Sequence, residues 1–126
     1  MPDPKAVILI VEDEDELRLS LRNFLERHGF EVQVASEGVG AIKILLDTSI
    51  DLIVTDYRMN LLGGDYWIRF LKRFCPDVRV LVTSGFLRSD VPMPFEVLLK
   101  PFDFKVLLER IDSMLNSALT SDSPIG

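Results

Sequence analysis

The chain has 126 residues, of which 48% are hydrophobic and 27% are charged, and its formal net charge at pH 7 is -6. This length suffices for one domain with a buried core, and the composition excludes global disorder. Because affinity for a phosphate backbone depends largely on Lys and Arg, the acidic balance argues against direct nucleic-acid binding. It is compatible with a carboxylate-rich metal site or with a protein partner.

The one cysteine, Cys75, cannot form an intramolecular disulfide, which excludes a disulfide-stapled secreted fold. Lying between Phe74 and Pro76, it is interpreted as an inert structural thiol. Residues 1–5 lack the basic and apolar regions of a signal peptide. The apolar runs are about six residues or shorter, against roughly 20 for a membrane span. We therefore expect a cytoplasmic protein without membrane contact.

The first strand and helix are predicted from residues 6–29. Residues 6–11 form a short, unbroken, β-branched run, which is typical of a parallel strand buried on both faces. The run stops at the acids of residues 12–16, and negative charge favours the first turn of a helix. That helix ends at Gly29. Its predicted apolar stripe comprises Leu17, Leu21, Phe24, Leu25 and His28. His28, before the glycine that ends the helix, is interpreted as favouring the C-terminal end of the helix dipole.

The second strand, at residues 30–34, alternates apolar and polar residues, and Ser36 is predicted to cap the helix that follows. That second helix has Val39, Ile42, Leu45 and Leu46 on its apolar stripe. The third strand is residues 51–56, an apolar run that ends on the carboxylate of Asp56. A loop at residues 59–64 ends in two glycines. The third helix carries Trp67, Ile68, Leu71 and Phe74, and it stops at Pro76. Trp67 and Phe74 are interpreted as core or helix-face packing residues rather than as a cofactor platform.

Two further strands are predicted, one around residues 78–84 and one at residues 95–99. Pro92 and Pro94 leave room between these strands only for a short or irregular fourth helix. The last helix begins near Asp103, with Phe104, Leu107, Leu108, Ile111 and Leu115 on its apolar stripe. Strands and helices thus alternate five times, and the sequence contains no internal repeat. This order predicts a doubly wound parallel α/β sheet. Residues 1–5 are a leader, residues 6–117 the domain and residues 118–126 a flexible tail.

Polar residues follow four of the predicted strands at the point where each strand ends. The carboxyl ends of parallel strands lie at one edge of a sheet, where ligands bind in folds of this class. Three carboxylates brought close together repel one another unless a cation joins them, and hard oxygen ligands suit Mg²⁺. A lysine there could also hold a phosphoryl group, with Asp56 as the nucleophile. The residues concerned are Glu12, Asp13, Asp56, Thr83 and Lys100.

These motifs resemble those of the response-regulator receiver domains (CheY-like) of two-component phosphorelays. The acidic pair Glu12-Asp13 closes a family-like first strand, and residues 51–59 resemble the phosphoacceptor strand. Gly64 matches the loop glycine beyond it, residues 80–85 resemble the switch-threonine strand, and residues 98–102 resemble the lysine motif. The resemblance covers about residues 5–117. It implies a flavodoxin-like (βα)5 fold, with a five-stranded parallel sheet in the order 2-1-3-4-5.

The resemblance also implies a role for each site residue. Asp56 would accept a phosphoryl group from a phosphohistidine on a sensor histidine kinase or a histidine phosphotransfer protein. Mg²⁺, or Mn²⁺, would be held by Asp13, Asp56 and the backbone carbonyl of Arg58, with Glu12 acting through water. Thr83 and Lys100 would each contact a phosphoryl oxygen. A cis peptide bond would join Lys100 to Pro101.

Three departures from the family pattern bear on signalling. Asn60 stands where the family often has proline after the loop methionine. Val97 occupies the second switch position, three residues before Lys100, where the family usually has Tyr or Phe. The connection from Thr83 to Lys100 is also short. Because an aliphatic side chain has no ring to swing inward, we predict signalling through a remodelled connection between the last two strands or through another face.

Each site residue also has a purely structural interpretation. Glu12 and Asp13 could be a charge cluster at a helix start, and Asp56 could simply initiate a turn. Thr83 could be an ordinary strand residue, and Lys100 a solvated lysine before a turn. The Arg58 side chain could either shape solvent access to the site or simply be exposed. The joint order and spacing of these residues favour the functional interpretation.

Three classes of function are compatible with the predicted site residues. The first is a phosphorylatable switch that modifies itself, turns over no diffusible substrate and so is not an enzyme in the usual sense. The second is a degenerate receiver that binds a protein independently of phosphorylation. The third is an aspartyl-phosphate phosphohydrolase, which needs a second Asp two residues after the nucleophile, where this chain has Arg58. The output partner, and whether the domain is a monomer or a homodimer, are left open.

Overall fold

In a computed structural model of the chain, five parallel strands form one sheet in the order β2-β1-β3-β4-β5. The strands are β1 (Val7–Val11), β2 (Glu31–Ala35), β3 (Leu52–Asp56), β4 (Arg79–Ser84) and β5 (Glu96–Leu99). The helices are α1 (Asp15–Arg27), α2 (Gly38–Asp47), α3 (Gly64–Phe74) and α4 (Phe104–Ser121). The predicted fold class and strand order are confirmed.

The structure describes residues 5–59, 64–85 and 93–121, with side chains as far as residue 116. The predicted short fourth helix, together with Asn60 and Gly63, lies outside these residues. The helix α4 runs to Ser121, and the domain boundary placed at residue 117 stays a prediction. None of the helices in the described part is long and apolar enough to cross a membrane.

Period-two alternation along the strands divides the core into two clusters, one on each face of the sheet. Leu9 and Val11 of β1 point to one face, where they join α2 and α3 through residues such as Ala41 and Trp67. Ile8 and Ile10 point to the other face, which α1 and α4 cover with Leu21, Leu25, Leu107 and Ile111. Because helices cover both faces, the central strands are apolar at nearly every position.

Three hydrophobic residues assigned to apolar helix faces are exposed, as is His28 at the end of α1, which corrects the prediction. In α2, Leu46 is 79% exposed and Val39 is 48% exposed, while Ala41 is buried instead. In α3, Trp67 is fully buried as predicted, but Phe74 is 63% exposed. Phe74 lies in the last turn of α3, where its ring contacts Phe70 and Arg73 rather than the core.

The helix ends show one further correction. Glu37, not Ser36, caps α2: its carboxylate accepts hydrogen bonds from the backbone N–H groups of Val39 (2.9 Å) and Gly40 (2.6 Å). The carboxylate therefore satisfies two of the N–H groups that a helix start leaves without an intrahelical partner. Gly29 follows α1 with a φ of +92°, as expected for a glycine that ends a helix.

The topology determines where a site can form. The chain leaves β1 to one side to form β2 and then returns to β3 on the other side of β1. The crevice at such a switch point, outside the carboxyl ends of the strands, is the usual ligand site of an open α/β sheet. Here it lies between the ends of β1 and β3, at Glu12 and Asp56.

The Glu37 cap predicts a difference between two neighbouring substitutions. Glu37→Ala should lower the free energy of unfolding by about 1 kcal/mol, because two helix N–H groups lose their acceptor. Ser36→Ala, the matched control, should change it by less than about 0.5 kcal/mol. Urea denaturation followed by circular dichroism measures both values, and a larger loss for Ser36→Ala would show that Ser36 is the effective cap.

Candidate functional site

Five predicted site residues lie at the carboxyl edge of the sheet because the strand ladder continues past the strand ends. The Tyr57 N–H donates to the Thr83 carbonyl (2.9 Å), and the Lys100 N–H donates to the Ser84 carbonyl (2.7 Å). Asp56 and Thr83 are neighbours across β3 and β4. The Glu12 N–H continues the pairing of β1 with β2 by donating to Ala35 (3.0 Å).

Lys100 bridges the ends of β1 and β3. Its ammonium Nζ lies 3.0 Å from Glu12 Oε1 and 3.4 Å from Asp56 Oδ2. Both carboxylates are buried, Glu12 at 2% exposure and Asp56 at 7%. Burial disfavours the charged form of Lys100, but its hydrogen bond to Glu12 and the charge of Asp56 outweigh this effect, so its pKa is raised. Lys100 is therefore an ion-paired site residue and not a solvated surface lysine.

Three carboxylates meet at this edge. One oxygen from each of Glu12, Asp13 and Asp56 lies within 4.8 Å of the other two. Burial raises the pKa of Glu12, against the opposing hydrogen bond from Lys100. Burial also raises the pKa of Asp56; Lys100 opposes this shift, and the charge of Asp13 adds to it. When ionised, three carboxylates and one ammonium carry a formal charge of -3 + 1 = -2, which matches a divalent cation.

Thr83 and Arg58 complete the predicted set. The Thr83 hydroxyl is buried and donates a long hydrogen bond of 3.5 Å to the Thr55 carbonyl. Arg58 lies on the exposed side of the site, and its backbone makes a hydrogen bond that favours the charged form of Asp56. The exposed position of Arg58 leaves both interpretations of its side chain open.

The start of α1 is held to the site by contacts that the sequence did not predict. Arg18 donates to the Glu12 carbonyl (2.9 Å) and pairs with Asp15 (2.6 Å). The Glu12 side chain accepts from the Glu14 N–H (3.1 Å). The acidic run was correctly placed at a helix start, but nothing local in the sequence shows that Arg18 turns back to the loop.

The first turn of α3 is bonded to both neighbours of Asp56, which the sequence also did not predict. The Trp67 indole donates to the Thr55 hydroxyl (2.8 Å), and both groups are buried. The Tyr57 hydroxyl donates to the Asp65 carboxylate, and the Gly64 N–H donates to the Tyr57 carbonyl (2.7 Å). The only local signal is the hydroxyl and the phenol on either side of Asp56.

The remaining predicted positions have simpler surroundings. Val97 pairs with Val82 in the sheet and is partly buried against the α2–α3 side of the core. The Lys100–Pro101 peptide bond is cis, as the resemblance implied. The His28 ring contacts the Phe24 carbonyl at the exposed end of α1, in keeping with a role at the helix terminus. Cys75 is a free thiol whose pKa burial raises, which fits an unreactive residue.

Known proteins resemble this chain in sequence. The model of the response regulator receiver domain family matches residues 8–112. The response regulator receiver protein CpdR of Brucella abortus is 31% identical, with 88% of this chain and 98% of that protein covered. The sensor kinase CckA of the same organism is 32% identical over 87% of this chain, but this region is only 12% of the kinase. The transcriptional regulatory protein YxdJ of Bacillus subtilis is 26% identical over 88% of this chain, and the matched region is 51% of YxdJ.

Solved structures agree with this assignment. The response regulator TrrA of Thermotoga maritima, solved in complex with Mg²⁺-BeF, has a TM-score of 0.78 at 26% identity, and 87% of this chain and 99% of that chain are covered. A CheY-like receiver domain from Methanospirillum hungatei has a TM-score of 0.85 at 19% identity, over 94% of this chain and 99% of that one, and shows likeness of fold. The chain therefore belongs to the response regulator receiver domain family, the receivers of two-component signalling.

Proposed function

We propose that this domain accepts a phosphoryl group onto Asp56 from a phosphohistidine donor, in a Mg²⁺-dependent reaction, and then changes the affinity of an output surface. The observation that carries the proposal is the bridging of Glu12 and Asp56 by Lys100 beside a cluster of three carboxylates. This arrangement provides a nucleophile, a cation and a set of metal ligands at one edge of the sheet. The Mg²⁺-BeF complex of TrrA supports the same chemistry by analogy.

The donor set fits a hard divalent cation. Asp13, Asp56 and the backbone carbonyl of Arg58 would hold Mg²⁺, or Mn²⁺, with Glu12 acting through water, and oxygen ligands with room for water are what Mg²⁺ requires. The bound cation would neutralise charge on the transferring phosphoryl group. Burial, together with the charge of Asp13, raises the pKa of Asp56, and a bound cation would offset both effects.

The protein side chains supply the rest of the reaction. An oxygen of Asp56 attacks the phosphorus in line, the bond from phosphorus to the histidine nitrogen breaks, and the bond from phosphorus to Asp56 forms. Lys100, already between two carboxylates, would pair with a phosphoryl oxygen. Thr83 would exchange its long bond to the Thr55 carbonyl for a phosphoryl oxygen, which makes it the side chain that senses the modification.

The partners follow from this reaction. A sensor histidine kinase or a histidine phosphotransfer protein would present the phosphohistidine, and an output partner would recognise the modified domain. Because this chain spans 12% and 51% of two relatives and 98% of a third, both a separate receiver and part of a longer protein are compatible with the match. The receiver-domain match covers residues 8–112, and we propose that this region modifies itself without turnover of a diffusible substrate.

The second candidate is a receiver that binds its partner independently of phosphorylation. It is favoured by Val97, which is packed in the sheet and has no ring that could report on the site. The intact set of Glu12, Asp13, Asp56, Thr83 and Lys100 supports the phosphorylated switch instead.

Phosphorylation is tested by incubating the purified chain with a small acyl phosphate, with and without Mg²⁺, and measuring its intact mass. We expect the wild type to gain one phosphoryl group only when Mg²⁺ is present, and Asp56→Asn to gain none. Asp51→Asn, at the opposite end of β3, is the matched control and should be modified like the wild type. A folded wild-type protein that gains no phosphoryl group would favour the second candidate.

The metal ligands are tested by calorimetric titration with Mg²⁺. Asp13→Asn should weaken Mg²⁺ binding by about tenfold or more, because one of the three clustered carboxylates is lost. Asp15→Asn removes the same charge two residues away, where the side chain pairs with Arg18, and should weaken binding by less than about threefold. Equal losses would mean that only the overall charge matters and that Asp13 is no ligand.

The ion pairs of Lys100 predict a pH-dependent loss of stability. Lys100→Met should lower the free energy of unfolding by about 2 kcal/mol at pH 7, because two buried carboxylates lose their counter-ion. Glu12 and Asp56 have raised pKa values, so they become neutral before ordinary carboxylates as the pH falls. The difference in free energy of unfolding between wild type and Lys100→Met should therefore become smaller as the pH falls.

The control for this experiment is Lys105→Met, which removes an exposed lysine from α4. Urea denaturation without Mg²⁺, at several pH values between neutral and acidic, gives the free energies for all three proteins. The control should remain close to wild type throughout. A Lys100→Met deficit that grows on acidification would contradict the proposed ion pairing.

A further inference from the structure

The outer face of α3 combines exposed rings with positive charge. We call this surface the α3 groove; it is lined by Tyr66, Arg69, Phe70, Lys72, Arg73 and Phe74. Tyr66 is 73% exposed and Phe74 is 63% exposed, which are high values for large apolar side chains. The groove holds three cations and no carboxylate among these residues, on a chain whose net charge is -6. Exposed rings beside concentrated charge mark a candidate protein-binding surface.

A series of aromatic rings joins this groove to the core. The buried Trp67 ring stacks on Phe70, with centroids 5.8 Å apart and planes 11° from parallel. Phe70 in turn lies 5.1 Å from Phe74, and the guanidinium of Arg73 lies 5.4 Å from the centre of the Phe74 ring. Direct ring contacts therefore connect Trp67 to the rings that line the groove.

Hydrogen bonds join the same helix to the phosphoacceptor. Trp67 donates to Thr55, and the Tyr57 hydroxyl donates to Asp65 of the first turn of α3. Thr55 and Tyr57 are the two residues that flank Asp56. The Thr55 carbonyl is also the acceptor of Thr83, the residue that would sense a phosphoryl group. Thr55 thus accepts hydrogen bonds from both Thr83 and Trp67.

We propose that the α3 groove is a docking surface for an acidic protein segment with apolar side chains, and that modification of Asp56 changes its affinity. The second part of this statement rests on the proposed function, whereas the first part does not. It assigns the output of the domain to the helix that is bonded to both neighbours of Asp56.

Charge and chemistry select this occupant. Arg69, Lys72 and Arg73 attract carboxylates, and the exposed rings of Tyr66 and Phe74 offer contact area for aliphatic or aromatic side chains. The same face of a second copy would place three cations against three cations. A nucleic acid or an anionic bilayer would meet this small basic strip on a domain whose net charge of -6 repels phosphate groups. A short acidic segment satisfies both the charges and the rings.

The docking surface is tested with fluorescein-labelled peptides of about 16 residues that combine glutamates with leucines at helical spacing. Three peptides differing in leucine spacing, and a fourth with lysine in place of each glutamate, are titrated with the full chain by fluorescence anisotropy. We expect at least one acidic peptide to bind, and the lysine peptide to bind at least about tenfold more weakly. Absence of binding by all three acidic peptides overturns the proposal.

Charge-reversal variants place the binding on the groove. The double variant Arg69→Glu with Arg73→Glu should weaken acidic-peptide binding by at least about tenfold. The matched double variant Arg27→Glu with Lys105→Glu makes the same change of charge on α1 and α4, and should weaken it by less than about threefold. Equal losses overturn the assignment to α3. Tighter binding of a single-stranded oligonucleotide or of phosphatidylserine vesicles than of the peptides overturns the choice of a protein segment.

The coupling to Asp56 is tested by repeating the titration on protein whose phosphorylation is verified by intact mass. We expect the affinity for the acidic peptide to change by at least about threefold. Thr55→Val should be phosphorylated like the wild type but show no such change, because Trp67 loses its acceptor. Tyr57→Phe, which removes only the hydroxyl that contacts Asp65, serves the same purpose should Thr55→Val fail to fold, as judged by circular dichroism.

The outcomes separate this proposal from the proposed function. Phosphorylated protein with an unchanged peptide affinity overturns the coupling and leaves the role of Asp56 intact. Protein that cannot be phosphorylated overturns both the acceptor role and the coupling, while the titration of the unmodified protein still decides whether the groove binds acidic segments.

Discussion

The position of one ammonium group organises the carboxyl edge of this sheet. Lys100 lies within 3.4 Å of carboxylates from the ends of two other strands, and those carboxylates are buried. Without the lysine, burial and mutual repulsion would oppose the charged state of both acids. With it, the site still has an excess of negative charge, and a divalent cation or a modified Asp56 alters this balance directly.

Much of this arrangement could be predicted from the sequence, because the relevant signals are local. Short apolar runs ending on polar residues predicted the strands, and parallel topology then required Glu12, Asp56 and Lys100 to share an edge. These signals predicted the fold class correctly, and the resemblance to receiver domains implied the correct strand order. Trp67, interpreted as a core or helix-face packing residue, is buried. Periodicity alone was wrong for Leu46 and Phe74, because it cannot show how far the sheet extends beneath each helix.

The contacts that could not be predicted either join residues far apart in the chain or involve a choice between neighbouring acceptors. Trp67 reaches Thr55 across the loop that precedes α3, and no spacing rule links an indole to one particular hydroxyl. Ser36 and Glu37 are both reasonable caps, and only the backbone direction at the start of α2 distinguishes them. The bonds between α3 and the neighbours of Asp56 are of the first kind, because they join α3 to residues in or directly after β3.

The separation of the core into two clusters has a consequence for how such a domain can diversify. Among the described residues, the cluster beneath α2 and α3 shares no member with the cluster beneath α1 and α4, because the sheet lies between them. Substitutions in clusters that share no contacts usually have additive effects on stability. One face can therefore accumulate changes that suit a new partner while the other retains an old one. Because the sheet separates the two clusters, the two faces of this small fold can evolve different binding surfaces independently.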